Sequence, residues 1–147
     1  MNFKSIVFII FIFLLVFAAC KKKKNTTNVS EHPVPYVPVD LTIYPNDPLN
    51  FKIQAIGGWM YFNGGINGLV VYRKSQQEFV VLERTSSYLP DNPYAKVKVM
   101  NDNFTLRDTI SDSRWQMVDG LVSQGPAQWS LRIYGSTYDG NALRIKN

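Results

Sequence analysis

From about residue 40 onward, apolar and polar positions alternate in short runs, broken every few residues by Gly, Asn, Asp or Pro. A period of two with β-branched and aromatic residues predicts strands, and no stretch shows a helical period of useful length. Predicted strands are 41–44, 51–56, 59–62, 69–73, 78–84, 96–100, 104–108, 115–118, 121–123, 131–138 and 142–146. Three reversals have a stated cause. Asn101-Asp102-Asn103, Asp119-Gly120 and Asp139-Gly140-Asn141 supply residues that tolerate left-handed backbone between paired runs. The pattern therefore predicts an all-β domain over 39–147, long enough for one unit and too short for two.

The first residues follow another rule. One basic residue, Lys4, precedes an apolar run from Ile6 to Ala19, which ends in the small residues Ala18 and Ala19 before Cys20. This run is shorter than the roughly 20 apolar residues of a spanning helix, so residues 1–19 read as a cleaved signal peptide. Phe17-Ala18-Ala19-Cys20 resembles a bacterial lipoprotein processing box, which implies lipid attachment at Cys20. Residues 20–38 follow as a tether: four lysines, Lys21 to Lys24, then polar residues, then prolines alternating with apolar residues. The lysines suit lipid headgroups. By resemblance to lipoproteins whose surface forms carry acidic residues after the cysteine, they also point to the periplasmic side of the outer membrane.

Charge excludes one class of function. Of the 16 Lys and Arg, Lys4 lies in the signal and four lysines sit beside Cys20, so the chain beyond Lys24 carries 11 basic residues against 11 acidic ones. A nucleic-acid binder would carry its excess positive charge on the folded surface. Residue types exclude more. Cys20 is the sole cysteine and His32, in the tether, the sole histidine, so thiolate or imidazole metal sites and nucleophile–His arrangements cannot be assembled in the domain. Asp108 and Asp112 flank one loop and read as acids that cap turns and face solvent. The glycines of AIGGWMYFNGGINGLVVY mark bulges and corners, since no GxGxxG or P-loop spacing follows.

The order AIGGW, GLVVYR, EFVVLERTSSYLP, a hairpin, SDSRWQMVDGLVSQGPAQWSLRIY and DGNALRI resembles Rieske-type domain proteins found as lipoproteins in Bacteroidetes-like bacteria. The likeness spans most of 40–147. In that family an RTC-x-H segment and a C-x-x-H-G-S-x-F segment hold a [2Fe-2S] cluster. Arg84-Thr85, Ser113, Trp115, Asp119-Gly120 and Gly125-Pro126-Ala127 match its framework. Its four ligand positions fall instead on Ser86, Tyr88, Asp108 and Ser111, and its glycine before the serine falls on Asp112.

The resemblance implies a β-sandwich with a small cluster-type subdomain, here without cluster or metal. Tyr88, Leu89, Pro90, Pro93, Tyr94 and Trp115 are expected to fill the vacated space, or else to form a partner surface. Three functions follow as expectations. The first is a non-enzymatic, membrane-anchored envelope module that binds a protein partner. The second is the family's [2Fe-2S] electron transfer. The third is a small-ligand or glycan binder stacking on Trp59, Tyr61, Trp115 or Trp129.

Overall fold

The computed structural model describes residues 31–146. The signal, Cys20, Lys21 to Lys24 and most of the tether lie outside the described residues. No helix among the described residues is long and apolar enough to cross a membrane.

Among the described residues eleven strands form: β1 (Asp40–Ile43), β2 (Trp59–Phe62), β3 (Leu69–Arg73), β4 (Phe79–Glu83), β5 (Lys98–Val99), β6 (Thr105–Arg107), β7 (Arg114–Gln116), β8 (Val122–Gln124), β9 (Ile133–Tyr134), β10 (Ser136–Tyr138) and β11 (Leu143–Lys146). They pair antiparallel in three sheets, ordered β1-β11-β10, β2-β3-β4-β9 and β5-β6-β7-β8. The predicted all-β class holds, and β2 and β3 have their predicted bounds.

The sheet β2-β3-β4-β9 lies between the other two. Leu69 and Val71 of β3 and Phe79 and Val81 of β4 join Ile43, Leu143 and Ile145 in one core. The alternate residues Val70 and Leu82 join Val97, Leu106, Trp115, Met117 and Leu131 in a second core. Side chains alternate across a strand, so LVVYR and FVVLE are apolar on both faces because each face covers a different layer. The β5–β8 sheet is the smaller subdomain, inserted between β4 and β9.

Two predicted strands are corrected. Residues 51–56 contribute to a 3-10 helix, Pro48–Ile53, rather than a strand. Asp47 caps it, its carboxylate accepting from Leu49 N at 2.8 Å, and Pro48 supplies a preset φ at its start. Ile53 alone of its residues is buried, so the alternation of Phe51 and Ile53 had no second strand to serve. The run 131–138 divides at Gly135: Tyr134 pairs with Val81 of the middle sheet, whereas Ser136 pairs with Ile145 of the outer one.

The tether reading is also corrected at its end. Val34 is fully buried, and its carbonyl accepts from Arg132 Nε at 2.9 Å. His32 Nε2 lies 2.9 Å from the Ser130 carbonyl, Val34 N donates to Nδ1 at 3.1 Å, and the imidazole meets the Trp129 ring edge-on at 5.7 Å. Tyr36 packs on Tyr134 with ring centroids 5.2 Å apart. The folded unit therefore starts at His32, because a proline-rich segment with alternating Val and Tyr can dock as an extended strip without pairing in a sheet.

Candidate functional site

Two loops project from the small subdomain. The first leaves β4 through Arg84 and Thr85 and returns at Lys96, where Thr85 and Lys96 form an isolated bridge. The second joins β6 to β7 over 108–113. The four positions singled out in the sequence stand on these loops, two on each.

In the second loop Asp108 and Ser111, the positions matched to the resembling family's ligands, bond to one another. Asp108 is fully buried, and its carboxylate accepts from Ile110 N at 2.9 Å and from the Ser111 hydroxyl at 2.7 Å. The Ser111 and Ser113 hydroxyls lie 3.0 Å apart, and Ser113 Oγ accepts from Ala127 N at 3.0 Å. A buried carboxylate needs such donors, since burying it unpaired is expensive. Asp108 thus caps its turn, as expected of it, but is buried rather than facing solvent.

Asp112 stands where the resembling family has glycine, and its φ is +59°, a region in which Asp is among the tolerated residues. A hydrogen bond from Arg107 holds its carboxyl below the usual carboxylate range, with Arg114 adding to the effect. These two arginines are its ion-pair partners.

The first loop is held mainly by backbone. Ser86 N donates to Ala95 O at 2.9 Å and Val97 N to Arg84 O at 2.7 Å. Ser86 is fully buried, and its hydroxyl accepts from Tyr88 N at 3.3 Å. One carbonyl ties this loop to the small sheet: Trp129 O accepts from Ser87 Oγ at 2.6 Å and from Trp115 Nε1 at 3.0 Å.

Of the residues expected to fill that space, Trp115 is buried in the core between the middle and small sheets, whereas the tyrosines are exposed. Trp115 is 0 % exposed, whereas Tyr88 is 45 % and Tyr94 81 % exposed. Pro93 is exposed too, and Leu89 and Pro90 are half-buried. The loops close through hydrogen bonds, so no aromatic plug is needed between them. Of the four residues named as a stacking platform, Trp115 is buried, whereas Tyr61 and Trp129 are each 37 % exposed; Trp59 donates its Nε1 to Asn103 Oδ1 at 3.0 Å, and Tyr61 lies under the Arg84 guanidinium at 3.7 Å. Trp129 is the one member of that set on the Ser130 side, against His32.

One group escaped the sequence reading. Glu83, at the end of β4, is fully buried. Its Oε2 accepts from Ile66 N at 2.9 Å and from the Tyr134 hydroxyl at 3.3 Å. Its Oε1 accepts from Asn67 N at 3.0 Å, Thr85 N at 3.1 Å and Thr85 Oγ1 at 2.9 Å. Burial, then the neighbouring Glu83 charge, pushes the Tyr134 phenol up to about 12. The signal was an acid on an alternating position of an otherwise apolar strand.

Two loops on a small antiparallel sheet, inserted into a larger β-sandwich and closed by a Gly-Pro-Ala turn, define a Rieske-like fold. The chain is similar in structure to the cyanobacterial plasma membrane Rieske protein PetC3 from Synechocystis PCC 6803. The TM-score is 0.50 at 15% identity, over 76% of this chain and 100% of that one. It is also similar to the ferredoxin of carbazole 1,9a-dioxygenase from Nocardioides aromaticivorans IC177, with a TM-score of 0.48 at 14% identity over 76% and 98% of the two chains. No protein-family profile and no curated protein matches the chain.

The residues at the family's ligand positions do not fit a [2Fe-2S] cluster. They offer two serine hydroxyls, a phenol and a carboxylate, where such clusters are held by thiolates and imidazoles. Both oxygens of Asp108 already accept hydrogen bonds within its own loop. The only imidazole is engaged with Ser130 and Val34. Among the described residues, no group of three or more His, Cys, Asp and Glu could hold a metal ion.

Proposed function

We propose that this chain is a non-enzymatic, lipid-anchored envelope protein whose Rieske-like domain works without a cluster, as a protein-interaction module. The observation that carries the reading is the second loop, where Asp108, Ser111 and Ser113 satisfy one another. A loop that closes on its own hydrogen bonds keeps its shape with no metal to organise it. The same two loops leave Tyr88, Tyr94 and Ile110 exposed, and exposed aromatics on a rigid frame suit contact with another protein. Lipid attachment at Cys20, with Lys21 to Lys24 against anionic headgroups, would hold the domain at the membrane, and the lysines favour the periplasmic face of the outer membrane.

Two measurements test this. Iron and acid-labile sulfide in the purified full chain should be far below stoichiometric, without visible absorption. Stoichiometric iron and sulfide would restore electron transfer as the function. In cells, a photo-crosslinking residue placed at Tyr88 or Tyr94 should give a discrete adduct with one envelope protein, lost on Cys20→Ala substitution. Adducts absent at both positions, while the protein is present and folded, would remove the interaction reading.

A further inference from the structure

A cleft lies at the foot of the first loop, where the turn between β2 and β3 meets Arg84, just past β4, and Lys96, just before β5. The turn over 63–68 carries Gly64, Gly65 and Gly68 at φ +144°, +61° and +94°. Gly65 has no freedom to change: a Cβ there would stand 2.0 Å from Glu83 Oε2. The turn thus presses bare backbone over the buried Glu83 carboxylate, whose oxygens are taken by Ile66 N, Asn67 N, Thr85 and Tyr134.

On its outer side the turn walls a surface cleft of about 300 Å³, shared with Arg84 and Lys96. Among the described residues neither cation forms an ion pair, since the five bridges all join other residues. Arg84 is set in place twice over. Its Nε donates to Val97 O at 3.3 Å, and its guanidinium stacks 3.7 Å from the centre of the Tyr61 ring. A Cβ on Gly68 would lie 3.7 Å from Nη1, so the glycine backbone runs beside the guanidinium. Glu83 is the acid that acts on both cations, yet one carboxylate cannot neutralise two, and its oxygens are sealed under the turn. Burial, and then the charge of Arg84, lowers the pKa of Lys96, as expected of a cation held beside another cation.

We propose that this cleft binds a phosphate-class oxyanion, shared between the fixed Arg84 guanidinium and the Lys96 ammonium, beside the wall that the glycine turn forms. A planar fork and a compact point charge at one cleft divide the oxygens of a tetrahedral anion between them. The missing Cβ positions of Gly64 and Gly65 face Leu69 and Glu83 on the inner side, so it is Gly68 whose bare backbone borders the guanidinium. The phosphate could belong to a phospholipid headgroup or to a soluble phosphate compound, and the chemistry at the cleft is the same.

The test follows amide chemical shifts of the full chain, in a non-ionic detergent, through a titration with inorganic phosphate at constant ionic strength. Saturable shifts are expected at Gly64, Gly65 and Gly68. The apparent affinity should fall about tenfold or more in Arg84→Gln or Lys96→Gln, the loss of one charge-assisted hydrogen bond, and stay unchanged in Lys98→Gln. No shift, a shift that never saturates, or one that survives both substitutions overturns the proposal. Should either variant fail to fold, the wild-type pattern decides alone: saturable shifts confined to the glycine turn uphold the site, and shifts scattered over all lysines and arginines overturn it.

A vesicle arm then separates the two sources. Phosphatidylcholine vesicles with and without phosphatidylglycerol are sedimented with wild type and variants. Anionic-vesicle binding weakened in Arg84→Gln and Lys96→Gln identifies a headgroup. Equal binding beside a saturable phosphate response identifies a soluble phosphate.

Discussion

Asp108 and Trp115 show what single residues contribute to this fold. Asp108 contributes a buried acceptor to a loop that supplies its donors locally. Asp108→Ala should strand the Ile110 amide and the Ser111 hydroxyl and destabilise the domain by about 1–3 kcal/mol, measured by urea denaturation. Asp108→Asn should lose less, because an amide oxygen can still accept from Ile110 N. Trp115 fills the core between the middle sheet and the small sheet and also spends its Nε1 on Trp129 O. Trp115→Ala should cost about 3–5 kcal/mol, read as a lower midpoint with an unchanged slope. Tyr94→Ala, at an exposed position, should leave stability within about 0.5 kcal/mol.

At the scale of elements, the hairpin between β10 and β11 carries its own pH dependence. Asp139 accepts from Ala142 N at 2.7 Å and Asn141 N at 2.9 Å, and from Arg144 at 2.7 Å. Led by the Ala142 bond, these contacts hold its carboxyl down at about 2. A folded-state pKa below the unfolded one means stability that is present above the ordinary Asp range and lost as pH falls toward 2. Melting temperature followed from pH 5 to pH 2 should therefore decline more steeply in wild type than in Asp139→Asn. An equal decline in both would remove Asp139 from the account.

The elements also show how far the sequence could be read. Hairpins at 101–103, 119–120 and 139–141 were legible because their cause is local: left-handed backbone at Asn103, Gly120 and Gly140. The 3-10 helix at 48–53 was not, because Leu49, Phe51 and Ile53 alternate as a strand would and only tertiary packing decides that Ile53 alone is covered. The sheet change at Gly135 and the docking of Val34 rest on contacts distant in sequence, Tyr134 with Val81 and Val34 with Arg132. The site divides along the same line. Loop positions could be placed from the Ser, aromatic and Gly-Pro-Ala framework, whereas the mutual bonding of Asp108, Ser111 and Ser113 depends on side-chain geometry, and the meeting of Arg84 and Lys96 with a glycine turn joins segments distant in sequence.

For the whole folded unit, the strip 32–38 belongs to the domain rather than to its leash. Val34→Ala should lower stability by about 1–3 kcal/mol, the worth of a buried apolar side chain and the gap it leaves, measured by denaturant titration. A tether residue would give no change. The middle sheet imposes a wider constraint. Leu69, Val71 and Val81 serve one core while Val70 and Leu82 serve the other, and an inserted residue reverses every side chain beyond it. One extra amino acid after Val70 would aim Arg73 and its carbonyl contacts at the Trp115 layer and drive Tyr72 toward Ile145. In most sandwiches such a slip spoils a single interior and spares a wet outer face. Here both interiors would be miswired at once, so the strand tolerates substitution far better than any change in its length.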